Sequence, residues 1–127
     1  MATAKRKKVS PKVNAQSCMA SATLRHVRIS PRRARLVLNL IRGKQVDPAL
    51  QILKYNSRKG SRFIYTLLQS AIANAKEQEG ADVDKLWVTG GWVNCAPTMK
   101  RFMPCAHGRA EVIRKRSSHI TILLNER

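Results

Sequence analysis

The stretch Thr98–His119, TMKRFMPCAHGRAEVIRKRSSH, decides how the rest of the chain is read. It lies between two runs with strand character, LWVTGGWVN (Leu86–Asn94) and HITILLN (His119–Asn125), and is far too long for an ordinary hairpin turn. Its turn residues, Pro104 and Gly108, fall near the middle. They predict a two-stranded ribbon with arms of about ten residues, roughly 30 Å at about 3.3 Å per residue. Lys100, Arg101, Arg109, Arg114, Lys115 and Arg116 stand in it against a single acid, Glu111. An isolated ribbon is marginal in water, and like charges weaken it further. The pattern predicts a basic arm built to enter nucleic acid.

Composition points the same way. The 127 residues suffice for one domain with a modest core. Lys and Arg outnumber Asp and Glu 25 to 7, for a formal charge of +18, which favours phosphate-rich partners through counterion release. A membrane is the rival polyanion, but no apolar run approaches the ~20 residues needed to span one. Charge is also segregated. Residues 1–46 hold twelve Lys or Arg and no acid, whereas Glu77, Glu79, Asp82 and Asp84 cluster before the first strand of the ribbon. This predicts a basic side facing RNA or DNA and a small acidic patch facing water or a protein neighbour.

Residues 1–23 lack hydrophobic periodicity and the apolar core of a secretory signal; they are read as a basic, flexible tail, with an organellar transit peptide as the competing reading. Residues 24–127 are read as a single α+β domain with an arm over about 95–119. Leu24–Ile29 alternates weakly, as a short strand or extended lead-in. Ser30–Pro31 then offers a hydroxyl cap and a first-turn proline. Ala34, Val37, Leu38 and Ile41 make one apolar helical face, and Gly43 is the stop. Arg32, Arg33, Arg35 and Arg42 lie mostly off that face with no acid in reach, so they are candidate RNA contacts. Asp47–Pro48 starts a second, short helix that is too apolar to read bases, which argues against a helix-turn-helix. A third helix, from about Ser57 to Gln78, is capped by Asn56 or Ser57 and stopped at Gly80. Its small residues, SAIANA, let another element approach closely.

In the strands, Ile120, Ile122 and Leu124 share one face; Leu86, Val88 and Trp92 share a parity with Gly90. The pair Gly90–Gly91 predicts a bulge or a close backbone approach. The fold class is α+β: a small antiparallel sheet of about three strands packed with three helices on one face, and a long protruding β-hairpin.

Three separated motifs carry a family resemblance: RHVRISPRRARLVLNLIRGK (Arg25–Lys44), SAIANAKEQEGADVD (Ser70–Asp84) and PTMKRFMPCAHGRAEVIRKRSSHIT (Pro97–Thr121). In order and spacing they closely resemble the universal large-subunit ribosomal protein twenty-two family, bacterial type, from about Leu24 to Asn125. The resemblance implies a structural constituent of the large subunit: an α+β head on its surface and a hairpin running into ribosomal RNA, bound early in assembly. The implied RNA-binding residues are Arg25, Arg28, Arg32, Arg33, Arg35, Arg42, Lys44, Lys100, Arg101, Arg109, Arg114, Lys115, Arg116, Ser117 and His119. The implied tip, in the wall of the nascent-peptide exit tunnel near the macrolide-binding region, is Met103, Pro104, Cys105, Ala106, His107, Gly108 and Arg109. Implied partners are large-subunit ribosomal RNA, neighbouring ribosomal proteins and the nascent polypeptide, with no membrane, no homo-oligomer and no cofactor. The implied location is the cytoplasmic ribosome, or an organellar one. The sequence departs from the family pattern at Cys105 and His107, where many members are basic. It departs again at Asn94–Pro97, which replaces an acidic-Gly-Pro pattern.

Other classes fare worse on the residues themselves. A ribonuclease needs histidines gathered about a phosphate, and nothing in the sequence brings His26, His107 and His119 together. Cys18, Cys95, Cys105 and His107 lack the spacing of a metal site, and three cysteines cannot all pair within one chain. Phe102 is open to two readings, a base-stacking residue or an apolar contact within the ribbon. The remaining alternative is a basic RNA chaperone or DNA-architectural protein using a β-arm, with Met103–Pro104 as a wedge.

Overall fold

A computed structural model describes residues 19–79 and 82–126. The elements run β1 (Ala20–Val27), α1 (Pro31–Ile41), α2 (Val46–Tyr55), α3 (Lys59–Glu79), β2 (Leu86–Pro104) and β3 (Ala110–Glu126). The strands form one antiparallel sheet in the order β1–β3–β2. The tail expected over residues 1–23 lies mostly outside the described residues; its last part is strand, since β1 begins at Ala20 rather than Leu24.

Ile120, Ile122 and Leu124 of central β3 are fully buried, facing the same core as Ala20 and Ala22 of β1 and Leu86, Val88 and Val93 of β2. Helices α1 and α3 lie on that face. In α1, Ala34, Val37, Leu38 and Ile41 are buried, as their spacing predicts. Gly43 ends the helix in a left-handed conformation (φ 74°). Ser30 occupies the cap position with extended backbone, but its hydroxyl makes no capping bond. Helix α2 starts at Val46, behind a Gln45 cap, rather than at Asp47–Pro48. Val46 is fully buried, and Asp47 then falls in the first turn, where a carboxylate suits the positive helix end. Asn56 marks the approach to α3 by accepting the Arg58 N–H at 3.1 Å. The stop expected at Gly80 lies outside the described residues. The close approach that the small residues of α3 permit is to β1, where the Asn74 amide donates to the Ser21 carbonyl at 3.0 Å.

The parity of β2 departs from simple alternation. Register shifts between Val88 and Gly90, leaving Thr89 as a bulge. Past it the facing reverses. Val93, opposite Ile120, now turns to the core, while Trp92 lies opposite Thr121 on the far face and is 38 % exposed. Trp92 therefore does not share a face with Leu86 and Val88. Gly91, opposite Ile122, sits under α1. A side chain there would meet the Thr121 carbonyl oxygen at 2.7 Å and Leu38 Cδ2 at 3.2 Å, so glycine is required by close approach.

Strand β2 is an edge, and the chain covers it. The Gly43 N–H donates to the Val88 carbonyl at 2.8 Å, and the Val88 N–H donates to the Lys44 carbonyl at 2.9 Å. Pairing these groups removes part of an edge on which another chain would otherwise add.

Candidate nucleic-acid interface

Strands β2 and β3 do not stop at the head. They pair continuously from Leu86–Glu126 out to Pro104–Ala110, so sheet and arm are one ribbon. The last buried pair is Ala96 and Ser117; every residue from 97 to 116 is exposed. At this root the register shifts again, placing Pro97 and Thr98 across from Arg116. Proline is tolerated there because β2 is an edge strand and the ladder is already interrupted. The arm beyond runs roughly 25 Å at about 3.3 Å per residue.

Register fixes what each face carries. On one face Lys100 stands opposite Arg114 and Phe102 opposite Val112. On the other, Met99 faces Lys115, Arg101 faces Ile113 and Met103 faces Glu111. Like charges directly across a ladder are destabilising, so the Lys100–Arg114 pair weakens the free ribbon and favours an anion beside it. Phe102 is 73 % exposed and packs little within the ribbon. The tip is a five-residue connection, Cys105–Arg109, closed by the Cys105 N–H donating to the Arg109 carbonyl at 2.7 Å. His107 (φ 59°) and Gly108 (φ 69°) both adopt left-handed backbone.

The remaining predicted contacts divide into groups. Arg28, Arg33 and the Arg114–Arg116 run line one open cleft of about 790 Å³ at the root of the arm. The start of α3 adds Arg58 and Lys59 to it, two cations to which the sequence alone assigned no role. Their signal was an Arg-Lys pair at a helix start, with no acid in the first turn. Arg35 and Arg42 lie elsewhere, beside β2 at Gly91–Asn94. Arg35 also has a structural job: its Nε and Nη2 donate to the Val93 carbonyl at 3.2 and 2.8 Å, fastening α1 to the edge strand. Arg25, Arg32 and Lys44 are exposed on the head, whereas Ser117 is buried.

His119 is engaged within the protein. Two residues of β1, Arg25 and His26, bulge opposite it. His26 is left-handed (φ 56°), its N–H donates to His119 Nδ1 at 3.0 Å, and the two rings meet edge-on at 4.6 Å. The structure thus brings together two of the three histidines, a pairing that their spacing gave no reason to expect. His107, at the tip, stays apart from them. The bulge also explains the weak alternation of Leu24–Ile29, since it re-aims Val27 toward the core.

Away from the basic surface, Lys85 Nζ lies 2.9 Å from Asp82 Oδ2. The hydrogen bond and charge of Lys85 lower the Asp82 pKa below its usual value, and Asp82 raises that of Lys85 in return. Among the described residues no group of His, Cys, Asp and Glu is arranged to hold a metal ion, and no helix is long and apolar enough to cross a membrane.

This fold and arm coincide with a sequence match. The family model described as ribosomal protein L22p/L17e covers residues 22–125, both the head and the hairpin. The chain belongs to the ribosomal protein L22p/L17e family. Three relatives, each named large ribosomal subunit protein uL22, illustrate the likeness. That of Caldicellulosiruptor saccharolyticus is 50% identical over 114 residues, covering 90% of this chain and 93% of the relative. That of Thermoanaerobacter pseudethanolicus is 52% identical over 108 residues, covering 85% and 97%. That of Thermus thermophilus is 46% identical over 108 residues, covering 85% and 96%. The L22p/L17e family is structural and non-enzymatic, so the clefts and histidines are to be understood as binding and packing features.

Proposed function

We propose that this protein is a structural constituent of the large ribosomal subunit. It binds large-subunit ribosomal RNA, supports assembly, and lays its hairpin tip, Met103–Arg109, in the wall of the nascent-peptide exit tunnel. The observation that carries this reading is the arm itself. Twenty consecutive exposed residues, 97–116, project as a ribbon whose paired cations disfavour it in isolation. Family membership supplies the partner: relatives of this size are named as large-subunit proteins.

Cations on both strands contact phosphates of several RNA segments, and arginine does so bidentately. Folded RNA offers shape more than a readable groove, so specificity arises from the fit of head and arm together. Neighbouring ribosomal proteins are further partners, and the nascent polypeptide passes the tip. The location is the ribosome, cytoplasmic as in bacteria. Sedimentation of tagged protein on a sucrose gradient tests this. Comigration with the large subunit after a high-salt wash is expected. Release at moderate salt would favour a loosely bound RNA chaperone or DNA-architectural protein.

A further inference from the structure

Strand β1 ends beside the root of the arm, and its last rungs are irregular. Leu24 pairs with Ile120 and Val27 with Ser118, so Arg25 and His26 are both set against His119. On the arm side of Ser117, β3 is exposed from Ala110 to Arg116. The last joint between the two strands therefore lies where the arm departs. His26 holds left-handed backbone there (φ 56°), which a residue with a Cβ adopts only at a cost. Two contacts offset that cost. The His26 N–H donates to His119 Nδ1 at 3.0 Å, and the rings meet edge-on at 4.6 Å. The neighbouring rung adds little polar support, since the Ser118 hydroxyl is buried with no hydrogen-bond partner among the described residues.

An imidazole accepts through Nδ1 only while that nitrogen carries no proton, so His119 is here the neutral ring with its proton on Nε2. A histidinium donates from both nitrogens and accepts from neither. Protonation would set two donors face to face, the Nδ1–H of His119 and the backbone N–H of His26. Solvent reaches the pair, because His26 is exposed and His119 half-buried. Facing His119 are Arg25 and His26 from β1 and the uncharged Asn94 from β2, while the helices pack on the other face of the sheet. On β3 itself the nearest charged residue is Arg116. None of these is an acid, so no carboxylate is placed to hold the new charge.

We propose that the His26–His119 contact is a pH-sensitive catch: neutral His119 holds the β1 bulge closed against the root of the arm, and protonation of His119 releases it. Release lets His26 leave its left-handed conformation and loosens the Val27–Ser118 rung, while Ala20–Leu24 stays paired. The Thr23 and Thr121 hydroxyls, 3.1 Å apart on the same two strands, contain no titrating group and stay together. The catch is closed at the upper end of about pH 8 to 5, the range in which histidine changes charge, and opens as pH falls. Arg25 lies in the bulge and Arg28 just after it, so the catch also sets where these two cations stand beside the arm.

The test is an NMR titration of the isotope-labelled, full-length protein from about pH 8 to about pH 5. Long-range spectra of the ring nitrogens read the His119 tautomer. Amide exchange, normalised to the intrinsic rate at each pH, reads the bond. The Nε2–H tautomer is expected at the upper end. On acidification, protection of the His26 amide should fall roughly threefold to tenfold, the worth of one hydrogen bond, while amides across the Thr23–Thr121 rung keep theirs. His119→Gln supplies a side-chain carbonyl that accepts the same N–H without titrating, so the pH response should vanish. His26→Asn keeps the acceptor and suits left-handed backbone, so the response should persist. Thermal melts check that both variants fold. An Nδ1–H tautomer in the wild type at the upper end would overturn the catch, and so would His26 protection that ignores pH. An undiminished response in His119→Gln, or equal loss of protection across the whole head, would overturn it as well.

Discussion

Single residues fix how the head holds its arm. Gly91 lies where β2 passes under α1, with the Thr121 carbonyl and Leu38 closing the space a methyl group would need. Because the nearest atom belongs to a central-strand backbone, relaxation is limited, and Gly91→Ala is expected to cost about 1–3 kcal/mol as overpacking, measured by urea unfolding. Arg35 illustrates a different point. Its position off the apolar face of α1 suggested an RNA contact, but two of its donors hold the Val93 carbonyl. Arg35→Ala should therefore destabilise the free protein by about 1 kcal/mol, whereas Arg32→Ala, with no such partner, should stay within about 0.5 kcal/mol in the same assay. Asp82 and Lys85 allow a pH statement. The lowered Asp82 pKa gives stability that is present above its ordinary value of 3.8 and fades as pH falls through the folded value. The raised Lys85 pKa gives stability present below 10.5 that fades as pH rises through its folded value. Between these limits Asp82→Asn should shift the melting temperature by a small, pH-independent amount, because the pair is exposed.

Among the elements, the ribbon of β2 and β3 sets the architecture. Its tip depends on left-handed backbone at His107 and Gly108. Gly108→Val should cost about 1–2 kcal/mol of local turn stability. The loss should appear as faster amide exchange over residues 99–115 with an unchanged melting transition of the head, since the arm buries nothing in it. Equal loss across head and arm would show that the two fold as one unit. Much of this architecture was legible: helix spacing marked α1 and α3, and the charge and length of Thr98–His119 marked the arm. What escaped was set by backbone irregularity. The Thr89 bulge reverses the facing of everything after it, so Trp92 leaves the core face and Val93 enters it. The bulge at Arg25–His26 hid the strand periodicity of β1, and it is bonded to a histidine ninety-three residues away in sequence. Arg58 and Lys59 were unremarkable on their own helix and became notable only once packing set them beside Arg33 and Arg114. Local pattern reports an element's faces; it does not report which elements meet.

For the whole molecule the formal charge is +18; five of its Lys and Arg fall in residues 1–18, and the described residues place others around a basic cleft on the head and on both strands of the arm. If six or more phosphates are neutralised, affinity for large-subunit RNA should fall by roughly three or more orders of magnitude between about 50 and 200 mM salt for the free protein. Once assembled, the enclosed arm should resist the same salt, because release then requires withdrawing the ribbon as well as losing contacts. The central claim is that the tip lies inside folded RNA. Cys105, exposed at that tip, allows it to be tested directly. An iron chelate would be tethered there in a Cys18→Ser/Cys95→Ser background, the protein assembled into large subunits, and hydroxyl-radical cleavage of the RNA mapped. The account predicts cuts in RNA lining the tunnel, separate from cuts made by the same chelate at Tyr55→Cys on the exposed head. Cleavage confined to the RNA reached from Tyr55→Cys, or none from Cys105, would contradict it.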